Sequence, residues 1–263
     1  MLVEIEFDDG EAAAKWNNKR HPVDTSSGKA DSRVVNAAFR KAILDYRSLL
    51  ETNFRHAKED INLFEVCVNV LLRDFPAVHN GKGETIFDLW QRVRLRPFAK
   101  RLGSAEKAEI VALCSSINGA LDTAITALLP IANQFLAELG WGEVSLKSLQ
   151  LAGLNFKDAR FVRDRRLLGE KITPVLDFFG QELPKPQNFL NEARLSALAM
   201  AIYFAGRGLC ARTLQPLTPR LMVLDDVLVG LDQSNRLPVL DVLSKRFSAE
   251  AQSGPAHMIM RRW

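Results

Sequence analysis
At 263 residues, with 47% apolar and 25% charged side chains, the chain has room for one large domain or two modest ones around a real core. No uninterrupted apolar run reaches the roughly 18 residues of a membrane-spanning helix, so no membrane partner is expected. The formal net charge of +4 permits an acidic partner such as nucleic acid without requiring one. Cys67, Cys114 and Cys210 are isolated, without a CxxC or His partner, and read as reduced thiols of a cytoplasmic protein. The first residues, Met1-Leu2-Val3-Glu4, carry acid where an export signal needs a basic start.

In chain order, Leu2 to Phe7 alternates apolar and acidic residues and closes on Asp8-Asp9-Gly10, the pattern of a half-exposed strand. Residues 16–31 are polar and read as a loop. From Ser32 the period becomes helical, through Val35, Ala38, Ile43, Tyr46, Leu49 and Leu50. A second helix is predicted near Ile61 to Asp74, and a third from Thr85 to Leu95, stopped by Pro97. Ser104, with Glu106 in the first turn, opens a long helical stretch to about Leu139 that Gly119 and Pro130 break or kink. These signals divide the chain into a strand and polar loop (1–30), a helical arm or lid (31–141) and a lobe of different character (142–263).

In that last part, Val144 to Leu151 and Ile172 to Gly180 pattern as strands. Between them, Arg160, Arg163, Arg165 and Arg166 fall within seven residues beside Phe161. Such a run either touches phosphates or is a solvated face, and the same holds for Arg92, Arg94, Arg96, Lys100 and Arg101. Asn191 is a good N-cap for the Ala- and Leu-rich helix that follows from Glu192. About 29 residues later, Leu221-Met222-Val223-Leu224 ends in Asp225-Asp226, read as a buried parallel strand with its carboxylates at the carboxyl end. Leu231-Asp232 follows, then a helix that Ser234 would cap and whose Leu237, Leu240 and Leu243 form a core-facing stripe.

The order and spacing of these last motifs resemble the signature helix, Walker B strand and D-loop of ABC-type ATPases. The nearest resemblance is to the SMC, RecF and RecN branch, in the divergent AAA-type form found in bacterial genome-maintenance and phage-defence loci. It covers residues 185–245 and, loosely, the strands from 144. It implies a mixed α/β fold, with a partial P-loop NTPase (ABC-type) nucleotide-binding lobe and a helical insertion subdomain.

By this resemblance Asp225 would bind Mg²⁺ through water. Asp226 stands at the place of the catalytic Glu, one methylene shorter, which implies slow hydrolysis. Asn191 and Glu192 would approach the γ-phosphate of ATP held by the opposite subunit, although Phe189, Leu190 and Asn191 replace the motif's Ser and two Gly. Asp232 would be the D-loop acid at a dimer interface. Implied cofactors are ATP and Mg²⁺. Implied partners are a second copy or a complementary polypeptide carrying Walker A, with DNA or an effector protein as the object of the work.

No GxxxxGK[ST] loop occurs in the chain; His79-Asn80-Gly81-Lys82-Gly83-Glu84-Thr85 has its composition with the wrong spacing. His257 precedes the segment Met258 to Met260 and does not stand where the family's switch histidine should follow that strand. The expectation is therefore the carboxyl-side half of such an ATPase. Two rivals stand beside it: a non-enzymatic interaction module, and a nucleic-acid binder working through its arginines.

Overall fold
The structure, a computed structural model, describes residues 2–5, 14–17, 42–45, 61–96, 102–159, 161–213, 222–225, 231, 233–251 and 258–261. Strands β1 (Leu2–Ile5) and β2 (Ala14–Asn17) pair antiparallel. β3 (Ala42–Asp45) pairs parallel with β11 (Met222–Asp225), which pairs parallel with β12 (Met258–Arg261) on its other side. The helical period over residues 32–50 is thus overridden at Ala42–Asp45. A short apolar run such as Ala42-Ile43-Leu44 serves a buried strand as well as a helix, and parallel partners decide it.

Between β3 and β11 lies the bulk of the described chain. Helix α1 (Phe64–Val66) runs into a π-helical turn, Cys67–Leu71. The hairpin β4 (Pro76–His79) and β5 (Lys82–Thr85) leads directly into α2 (Ile86–Arg94). Thr85 caps α2 through a reciprocal box: the Asp88 amide donates to Thr85 Oγ1 and the Thr85 amide to Asp88 Oδ2, each at 3.2 Å.

Helix α3 (Ser104–Glu138) follows, 35 residues and about 52 Å long. It runs unbroken through Gly119 and Pro130, so neither residue ends it. By length and composition it is apolar enough to cross a membrane, although polar residues interrupt every apolar run within it. In this structure its apolar stripe, from Ile110 through Leu113, Ile117, Leu121, Leu128 and Ala132 to Leu136, is buried in the protein core.

A three-stranded antiparallel sheet, β10 (Gln181–Leu183), β9 (Ile172–Phe178) and β6 (Val144–Leu151), packs on α3 through β6. A small hairpin, β7 (Asn155–Lys157) and β8 (Arg166–Leu168), projects between β6 and β9. Its base is tight: a Cβ on Gly169, where φ is +83°, would lie 1.9 Å from the Gly153 carbonyl oxygen. Helices α4 (Glu192–Thr213) and α5 (Gln233–Ala251) complete the fold, and both pack on α3.

Asparagines on or before the helices bind the sheet's backbone. The Leu146 amide donates to Asn133 Oδ1 at 2.7 Å, and Asn133 Nδ2 donates back to the Leu146 carbonyl at 3.1 Å. Asn118 makes the same pair with Leu154, at 2.8 and 2.9 Å. Asn62 donates to the Glu170 carbonyl at 2.8 Å and accepts from the Ile172 amide at 3.0 Å. Removing such a carboxamide leaves a half-buried peptide donor and acceptor unmatched. Asn133→Ala is expected to cost about 2–4 kcal/mol in urea unfolding, against about 0.5 kcal/mol or less for Thr123→Ala on the exposed face of the same helix.

Candidate functional site
The residues bracketed by the acidic strand motif meet at one edge of the parallel sheet. β11 is the central strand, and its Met222-Val223-Leu224 run suits a strand with neighbours on both sides. Register sets Asp225 opposite Asp45 of β3 and opposite Arg261 of β12. The three positions thus form one row at the carboxyl ends of parallel strands, about 4.8 Å apart from strand to strand. Open α/β sheets take their ligands at that edge.

Asp45 and Arg261 are not apparent as site residues from motifs alone. The signal for Asp45 is a shared grammar: Ala42-Ile43-Leu44-Asp45 and Met222-Val223-Leu224-Asp225 are both short apolar runs closed by Asp. Asp226 and Asp232, the expected catalytic and D-loop acids, lie outside the described residues. Leu231 beside the latter is buried, and its carbonyl accepts from Arg236 Nε at 2.7 Å.

The second expected element is α4. Asn191 caps it, its Oδ1 accepting from the Arg194 amide at 3.0 Å while its carbonyl accepts from the Leu195 amide at 3.0 Å. Asn191 is exposed, so the partial positive charge of the helix start faces solvent. Arg194, one turn in, lies 3.8 Å from Glu143 and sets its guanidinium 5.6 Å from the Trp141 ring centre. Glu192 begins the helix, and its side chain is outside the described set. Every residue from Leu195 to Gly206 is buried, so the body of α4 is a core helix on all sides. Among the described side chains of α5 the buried ones are Val239, Val242 and Leu243. The expected stripe shifts accordingly: Leu237 is exposed and Leu240 only half-buried, while Leu243 holds.

The glycine-containing stretch His79–Thr85 is a β-hairpin with no phosphate cradle. Asn80 and Gly81 form its two-residue loop with φ of +51° and +74°, the backbone an Asn-Gly hairpin turn demands. His79 is buried there, with Nδ1 3.1 Å from Ser116 Oγ and Nε2 3.1 Å from Asn80 Nδ2.

The first arginine group is spent on glutamates. Arg92 pairs with Glu84 at 2.7 Å and Glu109 at 3.3 Å, Arg96 with Glu109 at 2.6 Å, and Arg94 with Glu65 at 3.7 Å. Lys100 and Arg101 lie outside the described residues. Cys67 and Cys114 are buried free thiols, and Cys210 is on α4 with its side chain outside the described set. Burial pushes the Cys67 thiol up to about 12 and the Cys114 thiol up to about 11.

No protein-family model matches the chain, and comparison with curated proteins finds no relative.

Two outcomes follow from these environments. At pH 8 neither buried cysteine carries appreciable thiolate, so iodoacetamide is expected to leave Cys67 and Cys114 unlabelled in the native protein and to label both after unfolding, as read by peptide mass spectrometry. The hydrogen bond from Arg96 holds the Glu109 carboxyl below its ordinary range, with Arg92 adding to it. A depressed carboxyl stabilises the fold above its unfolded pKa, and the benefit is lost as pH falls through the folded value. The stability gap between wild type and Glu109→Gln should therefore be constant above about pH 6 and close in acid below the normal glutamate range of about 4.3.

Proposed function
We propose that the chain is the carboxyl-side portion of an SMC-like ABC-type ATPase, which binds Mg²⁺-ATP jointly with a polypeptide segment that carries the phosphate loop. One observation carries this reading: Asp225 ends the central strand of a parallel sheet, with a parallel neighbour on each side. The exposed, Asn191-capped start of α4 supports it as a second element of the right order and spacing.

The donor set suits the proposed cofactor in part. Asp225 offers a hard carboxylate oxygen of the kind Mg²⁺ prefers. The triphosphate, however, needs backbone amides and a lysine that no GxxxxGK[ST] segment of this chain supplies. When bound, Mg²⁺-ATP supplies a phosphoanhydride bond whose cleavage drives opening of a closed dimer. In this reading Asp225 holds the metal. Asp226 orients the attacking water, and its shorter reach slows the step. The α4 start, with Asn191 and Glu192, faces a phosphate bound on the other subunit, and Asp232 lines the contact between subunits.

The chain alone is then a weak ATP binder and a poor ATPase. Calorimetric titration of ATP with and without Mg²⁺, on the chain alone and mixed with a phosphate-loop polypeptide encoded beside it, tests the reading. Tight Mg²⁺-dependent binding is expected only in the mixture, weakened at least about tenfold by Asp225→Asn. Absence of binding in both samples overturns the reading. Turnover by the chain alone that Asp226→Asn abolishes overturns the need for a second part.

A further inference from the structure
We propose that the β7–β8 hairpin is a binding surface for single-stranded nucleic acid. Two arginine groups stand out in the sequence, and the structure separates them. Arg92, Arg94 and Arg96 are paired with Glu84, Glu65 and Glu109 respectively. The hairpin group is different. Its 14 residues, 155–168, hold five cations against two carboxylates. Of the two acids, Asp158 is neutralised from the protein side by Lys107 at 2.7 Å and Arg165 at 3.4 Å. That leaves Lys157, Arg163 and Arg166 exposed, with the Arg163 side chain 83% accessible and only a 3.9 Å approach to Asp164.

Beside them Phe161 is 58% exposed, so its ring face is open to a ligand next to these cations. Arg163 places its guanidinium 5.5 Å from the Phe161 ring centre. An exposed ring beside exposed guanidinium groups is the chemistry that stacks unpaired bases and neutralises the adjoining phosphates. A duplex offers the phosphates but keeps its base faces stacked. A bilayer would need a continuous apolar face, whereas the exposed Phe161 and Leu168 are separated by the exposed Arg163 and Arg166 and the half-buried Val162 and Leu167.

The platform is also rigid. The Gly153–Gly169 crossing closes the hairpin base, Asn118 holds both backbone groups of Leu154, and the Lys107–Asp158 pair ties the loop to α3. A preorganised surface spends little of its binding energy on ordering itself. None of the nucleotide-binding elements takes part, so the inference stands or falls apart from the ATPase reading.

The test is fluorescence anisotropy of a labelled oligothymidylate of about 20 nucleotides with the full chain, without ATP, over a salt series. Three phosphate contacts predict a log–log salt slope of about −2. Arg163→Ala combined with Arg166→Ala should bring the slope to about −0.7 and weaken binding at least about tenfold. Phe161→Ala should weaken binding about tenfold with the slope unchanged. Phe161 and Arg163 are exposed, so both variants should keep the wild-type melting temperature. Affinity unchanged in both variants overturns the proposal. So does a blunt duplex bound as tightly with no dependence on Phe161, or binding to anionic phospholipid vesicles without binding to the oligonucleotide.

Discussion
A carboxamide matches a peptide group donor for donor and acceptor for acceptor, and α3 uses two of them where a strand would otherwise be needed. Among the described residues β6 is an edge strand of its sheet, paired with β9 alone. Its pairing slips between Leu146 and Ser148, where a bulge interrupts the ladder. Asn133 takes both outward groups of Leu146 at that point, and Asn118 does the same for Leu154 beyond the strand's end. The edge is thus closed by a helix, so it offers no template for another chain there. Asn62 repeats the device at the start of β9. Position along α3 consequently fixes where the sheet and the β7–β8 hairpin can sit, while Asn62, ahead of α1, fixes the turn into β9.

The other constraint is the burial of α4. Twelve successive residues have no exposed face, which requires small side chains wherever another backbone comes close. Gly206 shows the limit: a Cβ there would lie 3.0 Å from the Leu71 carbonyl oxygen at the end of the π-helical turn. Phe204 meets Phe135 of α3 with ring centres 5.7 Å apart. The run Ala197-Leu198-Ala199 therefore satisfies a packing demand whatever else it does. The informative part of the helix for function is its start, where Asn191 is exposed and free of that demand.

Local rules made much of this legible. α2 follows from Thr85 and Asp88, α3 from its apolar period, and β6 and β9 from their alternation. The Asn191 cap and the acidic strand also form where their residues indicate. What local rules miss is decided by distant partners. Ala42–Asp45 is a strand because β11 lies beside it, and no window around it contains that fact. Leu237 fits a leucine stripe but points away from the packing that takes Val239 and Val242. In the His79–Thr85 stretch the spacing already speaks against a phosphate loop, and the order Asn-Gly is itself the local signal of the hairpin. The row of Asp45, Asp225 and Arg261 joins residues more than 200 positions apart in the chain, a juxtaposition only register reveals.

The bond between Asn62 and Ile172 spans 110 residues, and this has a consequence for biosynthesis. As the chain leaves the ribosome, α3 is complete well before α4, one of its main covers, exists. The part of its apolar stripe that α4 covers stays wet until Leu195 to Gly206 follow. A nascent chain stalled between residues 140 and 190 would display a helix about 52 Å long with one face uncovered. Such a face is what holdase chaperones bind and what neighbouring nascent chains stick to. The long helix that organises the finished protein is thus also the part most in need of shelter while it is being made.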